Sequence, residues 1–127
     1  MSHSHAVLSA DGVSVHLSLG ARLLGIHFSR ILRISSGDIV GIWRSDALHV
    51  GRRHRWKIAG TALTRQRAMG WFSRPGNRGR WAWVWLTPGR QLIVIETRRA
   101  RPALVALPLD WFDDAALTRI PHDAWPV

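Results

Sequence analysis

The chain contains no cysteine. That excludes disulfide staples, thiolate metal ligands and cysteine nucleophiles, and it suits a reducing compartment without requiring one. Lysine is almost missing as well, Lys57 being the only one, and acidic residues number 8 against 18 basic ones. No run approaches the roughly 18 apolar residues that a membrane-crossing helix needs. Residues 1–12 carry neither the basic nor the apolar segment of a secretory signal. These absences predict a soluble, cytoplasmic protein. Phosphate-cradling glycine loops ahead of a helix and a Gly-x-Ser-x-Gly elbow are also lacking.

What is present is arginine and tryptophan. Formal net charge is +10 in 127 residues, nearly all of it from arginine, and eight tryptophans stand among a 46% hydrophobic composition. The length suits one domain, and the apolar content is enough for a core. A charge of this size attracts polyanions, and arginine in particular forks onto phosphate and stacks on aromatic rings. A base composition that favours arginine codons explains the preference over lysine but not the scarcity of acids.

The hydrophobic pattern is that of strands. Residues 13–19 alternate Val13, Val15, Leu17 and Leu19 against Ser14, His16 and Ser18, the period of a half-buried strand. Residues 26–34 predict a second strand and 39–43 a third, with Ser35-Ser36-Gly37-Asp38 as the turn between them. Short extended segments follow at 56–63 and 69–72. The most pronounced stretch is 80–97, where Trp81, Trp83 and Trp85 share one strand face and Ala82, Val84 and Leu86 the other. Thr87-Pro88-Gly89-Arg90 has turn chemistry, and residues 92–95 are apolar on both faces, as in a covered central strand. The expectation is a β-hairpin over 80–97, then a last strand at 103–107. Residues 110–120 predict a short helix, with Asp110 or Asp113 at its start and Pro121 ending it. Residues 1–12 are expected to be a disordered lead, 13–120 the domain and 121–127 a tail.

About seven strands followed by one helix is the order of a pleckstrin-homology-like fold. The chain resembles a family of small bacterial PH-like proteins common in actinobacteria. The residues that carry the resemblance are the Leu17-Ser18-Leu19-Gly20-Ala21-Arg22-Leu23-Leu24-Gly25-Ile26-His27 run, Ile34-Ser35-Ser36-Gly37-Asp38-Ile39-Val40, Gly60-Thr61, Gly70-Trp71-Phe72 and the 81–84 strand. The resemblance spans about residues 13–120 and implies a partly open barrel of about seven antiparallel strands closed at one end by the C-terminal helix. Ser35 stands where the family has proline, and Ala62 to Arg67 replace a glycine- and proline-rich loop. Lipid-binding PH domains grip inositol phosphates with a lysine and spaced basic residues at the first hairpin. Here Arg22, Arg30 and Arg33 stand in that region, without a lysine.

No carboxylate forms a pair motif with a histidine, and Asp38, Glu96 and the 110–114 group read as turn, strand-end and helix-start residues. His3 and His5 alternate in the lead, and His16 and His27 are placed to meet across a hairpin, but histidines on solvent faces of strands are the commoner arrangement. No metal, cofactor or catalytic residue is therefore expected. The expected function is binding. Arg52, Arg53 and Arg55, Arg65 and Arg67, and Arg74, Arg78 and Arg80 form three basic loops suited to an anionic surface, with Trp71 and Phe72 beside them as an anchor. That surface is membrane lipid headgroups or an acidic protein partner, which would make the protein peripheral to the membrane if it is lipid. A nucleic-acid binder that stacks bases on Trp81, Trp83 and Trp85 is the alternative. A structural subunit of a larger assembly is a third reading. Interior packing of those three rings is favoured, because the opposite face of their strand is also apolar.

Overall fold

The computed structural model describes residues 4–18, 31–47, 50, 56–64, 67–74, 77–87, 89, 91–100 and 102–114; of residues 56–59, 61–64, 74, 77 and 78 only the backbone is described. The described residues form nine strands: β1 (His5–Ser9), β2 (Gly12–His16), β3 (Ile31–Ser35), β4 (Ile39–Asp46), β5 (Trp56–Thr64), β6 (Arg67–Arg74), β7 (Asn77–Leu86), β8 (Gln91–Thr97) and β9 (Leu104–Pro108). The protein is mainly β, as its alternating pattern predicts. The strands make two sheets, a three-stranded one ordered β1-β2-β3 and a six-stranded one ordered β4-β8-β9-β7-β6-β5.

These sheets do not close into a barrel. Closure needs an unbroken ladder from strand to strand. Between β3 and β4 the chain instead makes a 3₁₀ turn, Ser36–Asp38, and changes sheet. The expected antiparallel order is also broken. β9 lies between β7 and β8, parallel to β7 and antiparallel to β8. The hairpin expected over 80–97 is therefore two strands of one sheet with a third inserted between them. The reason is burial: all five residues of Leu104–Pro108 are buried, and a strand apolar on both faces is best accommodated inside a sheet. Leu92, Ile93, Val94 and Ile95 of β8 are buried likewise, as a central strand requires.

Residues 5–9, expected to belong to a disordered lead, form β1 and pair residue for residue with β2, from His5 opposite His16 to Ser9 opposite Gly12. Ala6 is buried there against Val13, Val15, Leu32 and Ile34. The hydrophobic gain of that face and the ladder hold the segment in place. Gly12 has φ +135°, and a Cβ on it would strike the carbonyl oxygen of Ile34, so the tight turn from β1 into β2 requires glycine.

The six-stranded sheet is apolar on both faces. On one, Trp83, Ile93, Ile95, Val105 and Leu107 pack against the small sheet and Phe112. On the other, Phe72, Ala82, Val84, Leu92, Val94, Leu104 and Ala106 pack with Ala47 and Val50. Residues 109–111 form a 3₁₀ turn. The helix expected over 110–120 falls mostly on residues beyond 114, outside the described residues, as does the 121–127 tail.

Candidate anion-binding end

Strand directions place the basic residues. β7 starts at Asn77, beside the end of β6 at Arg74, and β8 ends at Thr97, beside the start of β4. The backbones of Arg74, Arg78 and Arg80 therefore lie at the same end of the large sheet as residues 97–103. Arg67 begins β6, seven residues from Arg74, so the two are roughly 23 Å apart at about 3.3 Å per residue. Of the three basic loops expected to face one anionic surface, the part described places Arg67 exposed at the end of the sheet opposite Arg74. Arg52, Arg53, Arg55 and Arg65 lie outside the described residues.

The arginine end is organised by Thr97, which is almost fully buried. Its hydroxyl donates to the carbonyl of Pro102 at 2.6 Å and accepts from the amide of Arg99 at 3.1 Å. Its amide donates to the carbonyl of Ala103 at 2.9 Å, and the Trp81 amide donates to that of Ala100 at 2.8 Å. This local hydroxyl-to-amide bond two residues on is a turn device typical of Ser and Thr. Arg80 reaches across from β7, its Nη2 donating to the Thr97 carbonyl at 3.0 Å. The Nε of Arg99 donates to Asp38 Oδ2 at 3.0 Å and its Nη1 to the Arg33 carbonyl at 2.9 Å. The Arg98 amide donates to the Asp38 carbonyl at 2.8 Å, which turns the chain so that the Arg98 side chain is exposed.

Four arginines with described side chains thus gather here: Arg33, Arg80 and Arg98 exposed, Arg99 half-buried. Arg74 and Arg78 add two more by backbone position. Asp38, held by Arg99, together with Asp11 and Glu96 offsets part of this charge, and arginine remains in excess. Of these residues Arg33, Arg98 and Arg99 were not among the basic loops read from sequence. The Arg98-Arg99 pair after an apolar strand was the visible signal; its meeting with Arg80 depends on the strand order.

Trp71 and Phe72 do not act as a pair, because neighbours in a strand point to opposite faces. Phe72 is buried in the second core and is not available as an anchor. Trp71 is half-buried on the first face, edge-on to Trp81 with ring centroids 6.2 Å apart. Trp83 is fully buried, whereas Trp81 and Trp85 are partly exposed, and Trp85 continues to Trp111 at 5.7 Å. Base stacking on all three rings of the 81–85 strand is thereby excluded. Among the described residues no three His, Asp or Glu side chains come together as a metal group, and no helix is long and apolar enough to cross a membrane. No protein-family model, no curated protein and no solved structure matches this chain.

Proposed function

We propose that the protein is a non-enzymatic binding module whose arginine end engages an anionic membrane surface. The observation that carries this reading is the gathering of Arg33, Arg80, Arg98 and Arg99 at one end of the large sheet, where the half-buried Trp81–Trp71 pair lies on the sheet face opposite Arg80. Guanidinium groups fork onto phosphate oxygens, and an indole with one polar edge sits well at a headgroup boundary. An acidic protein surface would satisfy the arginines equally, and the vesicle test separates the two. The resemblance of short sequence motifs to bacterial PH-like proteins adds little to this reading, and the parallel β7–β9 pair departs from the all-antiparallel barrel of that fold.

Flotation of the purified protein with neutral and with anionic vesicles in about 0.15 M salt tests the proposal. Flotation with anionic vesicles only, undisturbed by excess short single-stranded DNA, is the expected result. Full reversal by the DNA, or absence of flotation, overturns the membrane reading and makes nucleic acid or an acidic protein partner the next target.

A further inference from the structure

At the other end of the small sheet from Gly12 and Ser35, His5 of β1 stands directly opposite His16 of β2. The two imidazole rings are stacked, with centroids 4.5 Å apart and planes only 8° from parallel. His5 is exposed and His16 half-buried, and both lie on the outer face of the sheet, since their neighbours Ala6 and Val15 are buried in the core. The strand ends at this position are tied together: Ser4 Oγ accepts from the Ser18 amide at 3.0 Å and donates to Ser18 Oγ at 3.2 Å. The two imidazoles are thus held face to face by the strand register, next to a clamp that keeps the register from slipping.

We infer that His5 and His16 form a two-imidazole site for a divalent transition-metal ion of the zinc, nickel or copper class. A tetrahedral ion with metal–nitrogen bonds of about 2.0–2.1 Å needs its two nitrogens about 3.3 Å apart. The stacked rings, with centroids 4.5 Å apart, lie within roughly 1–1.5 Å of that spacing, and turning both side chains about χ1 and χ2 is the movement that would aim their nitrogens at one ion. The donors are nitrogen only, which selects against magnesium and calcium, whose preference is for oxygen. Water completes the coordination on the exposed side of His5. Arg33 projects from the same outer face, one rung along on β3 and diagonal to His16, because Ser14 faces Arg33 and His16 faces Ile31. Its positive charge weakens the site, so Arg33→Gln is expected to tighten metal binding. The site shares only Arg33 with the Arg80–Arg98 end, and the histidine variants test it without touching that end.

The test is a titration of the full chain with zinc chloride at neutral pH, followed through the imidazole nitrogen NMR signals, with magnesium chloride as the control. The His5 and His16 signals are expected to shift together and to saturate at one zinc ion per chain. His5→Asn and His16→Asn should each weaken zinc binding by roughly tenfold or more, whereas His3→Asn leaves it intact. Zinc should raise the thermal midpoint of the native chain and not that of His16→Asn, because the pair exists only when β1 and β2 are joined. Zinc shifts at His5 that survive His16→Asn, or binding lost on His3→Asn, would place the ion on the N-terminal tail and overturn the inference. Should either variant fail to fold, the native titration still decides: shifts of His5 and His16 that saturate separately, or that magnesium reproduces, rule the site out.

Discussion

Trp83 of β7 lies directly opposite Val105 of β9 in a parallel pair, and both side chains are sealed from solvent. This contact joins the most bulky residue of the tryptophan strand to the last strand of the chain, and it carries the core between the two sheets. Trp83→Ala is expected to destabilise the protein by about 3–5 kcal/mol, the range for large aromatic deletions in a core. Trp85→Ala, which removes a partly exposed ring, should cost clearly less. Thermal or denaturant unfolding compares the two, and equal losses would contradict the placement of Trp83.

Gly60 has φ +138°, and a Cβ there would strike the carbonyl oxygen of Met69 and the backbone of Gly70, its cross-strand partner. These neighbours are all backbone, so no side chain can swing aside. Gly60→Ala is expected to lower stability by about 1–3 kcal/mol through strain at this position. Gly37→Ala, where nothing lies within reach of the added methyl, serves as the tolerant control in the same denaturation experiment.

Thr97→Val keeps the shape of the buried side chain but removes its hydroxyl. The Pro102 carbonyl and the Arg99 amide then both lose a partner. A loss of about 1–3 kcal/mol is expected for polar groups left unpaired in a buried place. Thr97→Ser, which keeps the hydroxyl, should recover part of it. Faster amide exchange at Arg99 would locate the damage.

The Arg99–Asp38 ion pair is different in kind. Its two side chains are 36% and 39% exposed, so solvent and salt screen the charges. A double-mutant cycle with Arg99→Ala and Asp38→Ala is expected to give a coupling of only about 0.2–1 kcal/mol, shrinking as salt is added. A coupling several times larger would show that the pair is the principal link between the sheets.

Arg80→Ser with Arg98→Ser should cost at most about 1–2 kcal/mol of stability, through the lost Arg80–Thr97 hydrogen bond, and leave the protein folded while removing binding to anionic vesicles. Arg67→Ser, at the opposite end, should leave vesicle binding nearly unchanged. Equal losses from the two ends would mean that net charge alone drives the association.

Much of the local structure was readable because it depends on local chemistry. Alternation at 13–19 marks β2, and the continuous apolar run at 92–95 marks a central strand, since side-chain period and burial follow directly from pleat geometry. β1 was less legible. Its best signal is Gly12 directly after Asp11, closing the Ala10-Asp11 loop between Ala6/Leu8 and Val13/Val15, set in a terminus whose Ser-His-Ser-His opening reads as solvated chain. Trp71 and Phe72 read as a neighbouring aromatic pair in the sequence, yet a strand sends them to different cores.

The sequence by itself determined that this protein is β-rich, strongly basic and without cysteine chemistry, because composition and the period of apolar residues are properties of the chain alone. It also marked Trp83 as an interior residue through the apolar face opposite it. Only the tertiary structure decided that β9 separates β7 from β8, that Arg80 reaches the Thr97 carbonyl next to Arg98 while Arg67 is carried to the far end, and that His16 stacks on His5. Strand order and sheet pairing are set by which apolar faces can be buried together across long separations in the chain, and no local pattern encodes that choice.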